Sequence, residues 1–339
     1  MNLRPYGNTP PAKSRQSGSS PLLCGFDGIY LGYYGEVPGD VYNVLSERGE
    51  IAIQGMSFKV QWKRRGPYSV VLDSDSLNVA LGNTAPTHYS PSVYVQVKSE
   101  FLWSAGMDEA HRQVLEAVND LYNNAPHREQ ISRADMFADI DWPKPFYPGD
   151  IEKFRTRAKS KATFYDGQSV SGFVIGKGKI MARIYNKTLE LRRSGKEWLY
   201  ELWGVDKEAP VWRVEFQLRR EALKEFGIET FDDLLNASQS LWQYCTSKWL
   251  SVRGKGPPAR FWESVQAARF TPDSASLLLI KRERMRSGMT EKQAADQIGG
   301  IVESYARGEE IDLYSKAFNQ LIPRVRERWI RCRESTSQN

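Results

Sequence analysis

Eight residues, Trp212–Arg219 (WRVEFQLR), alternate without a break between apolar and polar side chains. A strand sends successive side chains to opposite faces, so Trp212, Val214, Phe216 and Leu218 share one face and Arg213, Glu215, Gln217 and Arg219 the other. Such a segment belongs in an antiparallel sheet with one face on a core and the other carrying polar groups. Two further segments repeat the pattern. Ile131–Trp142 places Ser132, Ala134, Met136, Ala138, Ile140 and Trp142 on one side, and Arg133, Asp135, Phe137, Asp139 and Asp141 on the other. Met181–Lys187 brings Arg183, Tyr185 and Lys187 to one face. In one sheet, these three polar faces would pool into a single surface of carboxylates, cations and a tyrosine.

The rest of the chain sorts around these strands. CGFDGIYLGYYGEV, MSFKVQWKRR, GPYSVVLDS, SLNVALG, SVYVQVKSEFLW, KATFYDG and SGFVIGKG read as strands. GDVYNVLSERG and MDEAHRQVLEAVNDLYNN have helical spacing, DIEKFRTRAK reads as a short helix with Asp150 as its N-cap, and FDDLLNASQSLWQYCTSKWLSVR as one long helix. RGKGPPAR, with two glycines and two prolines, reads as a linker, and only helical segments follow it. The pattern predicts an α+β fold: residues 1–20, rich in Pro, Ser and Gly, as a flexible tail; an antiparallel-sheet domain over 21–255; and a small basic all-helical domain over 256–339. TEKQAADQIGGIVESYARG, with Gly299–Gly300 at its centre, is compatible with two short helices of a helix-turn-helix.

Charge and composition narrow the partners. The net charge is +6, and the residues from Ser251 onward hold 16 Lys/Arg against 11 Asp/Glu, or +5. A basic end beside a near-neutral body points to a polyanion such as nucleic acid, and equally fits a solvated helix surface. With 40% apolar residues, wholesale disorder is excluded. No apolar run approaches the ~18 residues of a membrane span, and the first 20 residues lack the apolar core of a secretory leader. The three cysteines, Cys24, Cys245 and Cys332, are far apart, which suits a reducing cytoplasm better than a disulfide framework.

The polar strand faces have a chemical use. Asp and Glu oxygens suit Mg²⁺ or Mn²⁺, and such an ion, with Arg and Lys beside it, offsets charge on a phosphodiester during displacement. A tyrosine hydroxyl, with an ordinary pKa of ~10, becomes a better nucleophile where cations lower that value. Alternating charge on a strand also fits a plain solvated face, and Tyr185 a half-buried packing residue.

The segment GFVIGKGKIMARIYNKTLELRRSGKEWLYELWG followed by VWRVEFQLRRE resembles the replication initiation factor family, the initiators of a class of rolling-circle plasmids with relatives among filamentous-phage replication proteins and conjugative-element relaxases. The family's Arg-x-Asp-x-x-x-Asp strand is matched by Arg133, Asp135 and Asp139. Its Arg-Ile-Tyr-Asp/Asn-Lys strand with a following Glu is matched by Arg183 to Lys187 and Glu190, and its Arg-Val-Glu strand with a later Arg by Arg213, Val214, Glu215 and Arg219. LWQYCTSKWLSVR resembles the aromatic helix after this core, so the likeness spans roughly 130–255. The resemblance implies a relaxase-like nicking domain that cuts one strand of an origin by metal-dependent tyrosine transesterification, leaving a 5′-phosphotyrosine and a free 3′-hydroxyl. A conjugative relaxase of the same chemistry and a non-catalytic DNA-binding regulator are the alternatives. It implies Tyr185 as nucleophile with Arg183 and Lys187 as catalytic contacts; Asp135, Asp139 and Glu215 as ligands of Mg²⁺ or Mn²⁺; and Arg133, Arg213 and Arg219 as phosphate contacts. Phe137 is expected to stack on bases, Asp141 and Glu190 are reserve acids, and Asp27, in GFDGIY where the match is less clear, is a further candidate ligand. Origin DNA and a host or replicon helicase are the implied partners, the cytoplasm the implied setting, and a homodimer is compatible with it.

Two departures bear on this. Many rolling-circle initiators hold their metal with a His-hydrophobic-His pair; His88, His111 and His127 offer no such spacing, so carboxylates would have to bind the ion. In GFVIGKGK only three residues separate Gly172 from Gly176 and Gly178 follows Lys177, so it is not a phosphate-binding P-loop, and ATP-driven unwinding falls to another protein.

Overall fold

A computed structural model describes residues 21–82, 90–122, 126, 128–270, 282, 291–311 and 314–336. The chain divides into two units, Met1–Glu283 and Arg284–Asn339.

In the first unit the strands are β1 (Leu23–Tyr34), β2 (Glu50–Ile53), β3 (Met56–Arg65), β4 (Tyr68–Asp73), β5 (Leu77–Gly82), β6 (Val93–Lys98), β7 (Arg128–Asp141), β8 (Phe154–Arg155), β9 (Lys161–Asp166), β10 (Ser169–Ile175), β11 (Ile180–Asn186), β12 (Val211–Arg219) and β13 (Ser251–Val252). Among the described residues, eleven of these form one antiparallel sheet in the order β2-β3-β4-β5-β6-β1-β7-β12-β11-β10-β9, while β8 pairs with β13. The helices are α1 (Gly39–Ser46), α2 (Ser99–Ser104), α3 (Met107–Tyr122), α4 (Lys187–Ser194), α5 (Trp198–Trp203), α6 (Arg220–Glu225), α7 (Phe231–Gln243) and α8 (Pro257–Gln266).

The three alternating strands are neighbours. β7 pairs with β12 and β12 with β11, so Asp139, Arg213 and Tyr185 stand in one row and Phe137, Glu215 and Arg183 in the next. The apolar faces do what their spacing predicts. Ala134, Met136, Ala138 and Ile140 of β7 join Trp212, Val214, Phe216 and Leu218 of β12 in the main core, packed with Val114 and Val118 of α3, Leu234 and Trp242 of α7, and Phe261 and Trp262 of α8. Burying Val214, Phe216 and Leu218 contributes roughly 1.5–3 kcal/mol each.

The polar face is not an open surface. α4 and α5, joined by a turn at Gly195 in the left-handed region (φ 70°), fold back over it. Leu191, Leu199 and Trp203 pack with Phe137, Leu23 and Val211 in a second, smaller core on that side. α4 begins where β11 ends because the Asn186 side chain accepts a hydrogen bond from the Leu189 amide, capping the helix.

Four sequence expectations are corrected. RGKGPPAR is not a linker: its prolines open α8, whose Phe261 and Trp262 lie in the main core, so the first unit runs past residue 255. FDDLLNASQSLWQYCTSKWLSVR is not one helix, because α7 gives way at Tyr244 to a wider π-turn that ends at Trp249. DIEKFRTRAK is a short 3-10 turn, Pro148–Lys153, followed by β8, and Asp150 sits within the turn, its carboxylate accepting from the Tyr147 amide at 2.8 Å. In the second unit, α9 (Glu291–Gly308) runs straight through Gly299 and Gly300, so no helix-turn-helix forms there. α10 (Tyr314–Thr336) packs on α9, Val302 and Ala317 are buried, and Tyr305 hydrogen-bonds Gln320 at 3.2 Å. The flexible-tail expectation for residues 1–20 lies outside the described residues.

Candidate active site

Tyr185 is half-buried near the end of β11, with its hydroxyl turned in on an acid. The hydroxyl donates to Glu215 Oε2 at 3.2 Å. Arg183, two residues back on the same face, reaches the other oxygen of Glu215 at 3.4 Å and donates to Gln217 Oε1 at 3.0 Å, keeping 37% of its side chain exposed. Lys187, the first residue of α4, is buried with its ammonium 5.7 Å from the Tyr185 ring centre and paired with Glu190.

Asp27 completes the acid group from β1. In the β1–β7 ladder Phe26 stands opposite Met136 and Gly28 opposite Asp135, which leaves Asp27 as the extra residue of a bulge. A bulge re-aims a side chain. Here the Asp27 carboxylate accepts from Arg213 at 2.6 Å and from the Ser99 hydroxyl at 3.2 Å. The sequence signal was slight: an aspartate between two glycines in GFDGIY.

The electrostatics divide these acids. Burial, then the charges of Asp27 and Asp135, raise the Glu215 carboxyl from an ordinary 4.5 to about 7, with Arg183 and Arg213 opposing. Burial also raises Asp135, against the pull of Arg133. For Asp27 burial is overcome by Arg213, Lys187 and Lys196, and its carboxyl falls to about 2. The phenol of Tyr185 is pushed well above its usual 10, first by burial and then by the charge on Glu215. That reverses the expectation that nearby cations would favour phenolate.

Three more expectations change in the same way. Asp139 was expected to bind a metal, but it is fully buried and its oxygens are taken. Oδ1 accepts from Arg213 Nε at 2.7 Å, and Oδ2 from Arg213 Nη2 at 2.8 Å and from the Trp203 indole at 2.8 Å. Arg213 was expected to contact phosphate, but it is fully buried, spends its donors on Asp139 and Asp27, and lies 3.7 Å from the centre of the Phe137 ring. Phe137 was expected to stack on bases, but beneath that guanidinium and beside the Trp103 ring it has no exposed surface.

The remaining residues fall as follows. Arg133 holds Asp135 through two hydrogen bonds, 2.8 and 2.5 Å, and lies over the Tyr30 ring at 4.5 Å. Arg219 is exposed at the end of β12, six residues beyond the partner of Tyr185, or about 20 Å along the strand, so it stands apart from the phenol. Asp141 is exposed at the end of β7. As they stand, the expected metal ligands do not fit an ion: Asp139 is fully buried with both oxygens engaged by Arg213 and Trp203, Asp135 is clamped by Arg133, and Glu215 faces the phenol. Among the described residues no three Asp, Glu, His or Cys side chains are grouped to hold one. Trp203 was missed because nothing in KEWLYELWG ties its indole to an aspartate 64 residues earlier.

No protein-family model matches the chain, and no curated protein matches it. Among solved structures it is similar to the rolling circle replication initiator protein from Geobacillus stearothermophilus, at 13% identity and a TM-score of 0.44, over 73% of this chain and 98% of that one. A likeness at that level carries no residue roles across.

Proposed function

We propose that this chain is a strand-specific DNA nicking and joining enzyme that initiates rolling-circle replication at an origin, with Tyr185 as the nucleophile. The observation that carries the reading is the Tyr185–Glu215 contact at 3.2 Å, with Glu215 raised to about 7. A phenol held neutral needs a base at the moment of attack, and a base works best with a pKa near the working pH. Tyr185 Oη attacks the phosphorus, its proton passes to Glu215, and the bond from phosphorus to the 3′-oxygen breaks. The 5′-phosphate stays on the tyrosine, and the leaving 3′-oxygen takes a proton from water. In the reverse step the 3′-hydroxyl attacks the phosphorus and gives its proton back to water, the bond from phosphorus to Tyr185 Oη breaks, and Glu215 returns its proton to the phenol. Arg183, half-exposed beside Glu215, is the cation that meets the phosphate, while Lys187, buried beside the ring and paired with Glu190, adds positive charge without touching it. Asp139 and Arg213 position the strands.

The step needs no ATP, so unwinding is assigned to a separate helicase. Exposed Lys316, Arg324 and Arg326 of the C-terminal unit are assigned to duplex phosphates. A Mg²⁺ or Mn²⁺ ion enters this reading only as one recruited together with DNA, and no step above runs through it. Among the described residues no helix is long and apolar enough to cross a membrane.

Tyr185→Phe tests the assignment: it should bind a single-stranded origin oligonucleotide normally and give neither a nick nor a covalent adduct. Unchanged nicking rejects Tyr185. A second reading, a DNA-binding regulator that has kept the scaffold, is favoured by the raised phenol and the absence of a grouped metal-ligand set among the described residues. It predicts no nicking by the unaltered chain.

A further inference from the structure

The register across the sheet sets a line of residues beside the phenol. Phe164 on β9 stands opposite Gly172 on β10, Gly172 opposite Tyr185 on β11, and Tyr185 opposite Arg213 on β12. Partners in a ladder share a face. Strands lie ~4.8 Å apart, so the backbones bearing Phe164 and Tyr185 are about 10 Å apart. Between them Gly172 contributes no side chain. A Cβ there would lie 2.8 Å from the Ile184 carbonyl oxygen and 3.0 Å from the Tyr185 Cβ, so only glycine lets β10 run this close to β11. The floor between the two rings is bare backbone.

The neighbouring row continues the same surface. Ala162, Val174 and Arg183 face each other across β9, β10 and β11. Two small apolar side chains thus extend the floor, and a half-exposed guanidinium borders it. Phe164, on the edge strand, is 52% exposed. α4 reaches this edge through Arg193, which pairs with Asp166 at 3.1 Å and keeps most of its side chain in water.

We propose that Phe164, Gly172 and Tyr185 form a stacking subsite for one unpaired nucleobase next to the phosphate that Tyr185 attacks. The occupant is single-stranded DNA, and its place at the scissile phosphate rests on the reading of Tyr185 as nucleophile. The surface alternates what a single strand alternates: a flat apolar ring and floor for a base, and Arg183 and Arg193 at the rim for the phosphates. A duplex keeps its base faces stacked away from Phe164. Base–aromatic stacking is tolerant of sequence, so the subsite fixes the position of the strand rather than reading it. It takes the role the sequence suggested for Phe137, which is buried.

The test uses the full chain carrying Tyr185→Phe, which cannot turn over, and a thymidine oligonucleotide of about 20 residues with 2-aminopurine in place of one base. Binding should quench the 2-aminopurine. Adding Phe164→Ala should weaken binding about tenfold and remove the quench, with the salt dependence unchanged because no charge is lost. Phe164→Trp should keep both, and Phe164→Leu, apolar without a ring, should lose the quench and show that packing is not the cause. Affinity and quench unaltered in Phe164→Ala, or no quench in the parent, overturns the subsite. Failure of the nucleophile reading shows elsewhere, as nicking by Tyr185→Phe itself.

Discussion

Glu215→Gln separates the chemistry of the site from its packing. The residue is buried and its carboxyl is raised from 4.5 to about 7. Below pH 7 the protonated acid cannot take the phenol's proton, so nicking by the unaltered chain should rise tenfold per pH unit and level off above about 7. Glutamine keeps the shape and a carbonyl oxygen for the Tyr185 hydroxyl but accepts no proton. The plateau should therefore fall by about 10²–10⁴, the usual share of a general base, and the rise through pH 7 should vanish. Stability should move the other way. A carboxyl whose folded pKa is raised contributes stability that is complete below its unfolded value, near 4.5, and is lost as pH climbs through 7. The rise from 4.5 to about 7 corresponds to about 3 kcal/mol. Urea titrations at pH 8 should find Glu215→Gln more stable than the parent by up to that amount, and at pH 4 the two should coincide. A variant less stable at pH 8, or one that keeps the rise in nicking through pH 7, would refute the assignment of Glu215 as a buried acid facing the phenol.

Asp139→Asn tests the buried pair. It leaves Arg213 charged and enclosed with Asp27 as its remaining acid, which should cost about 3–5 kcal/mol in a denaturant titration, and a loss below 1 kcal/mol would show that the pair is dispensable. Manganese addresses the acids together. In the free chain they are committed to Arg133, Arg213 and Tyr185, so calorimetric titration should find no tight stoichiometric Mn²⁺ site, and a stoichiometric site with micromolar affinity would show that the acids regroup without DNA.

The sheet was legible because a period of two is a local property. The alternation in WRVEFQLR and ADMFADID assigns each side chain to a face, and the register keeps those faces together. What alternation leaves open is what covers a face. The second core of Leu191, Leu199 and Trp203 depends on α4 and α5 folding back at Gly195, a long-range event with no signature in the strands it covers. For that reason Phe137, a ring on a polar face, looks exposed until a helix is laid over it. The aim of Asp27 is hidden for a related reason. Its aim comes from a bulge, and a bulge is an offset between two strands that neither sequence displays alone.

The same covering sorts groups of identical type into different work. Asp139 and Glu215 are both buried acids on adjacent strands, one row apart. Asp139 meets a guanidinium squarely and a tryptophan N–H, so its charge is fully matched and it holds β7 to β12. Glu215 meets a guanidinium only at 3.4 Å, two other carboxylates and a phenol, so its charge is poorly matched and it keeps its proton up to near neutral pH, where it can exchange it. A well-matched acid serves as a tie between strands, whereas a poorly matched one is costly to bury and able to exchange a proton. The proton-accepting role therefore falls to Glu215 rather than Asp139 because of its partners, and the cation closest to it, Arg183, is also the one still open to a phosphate.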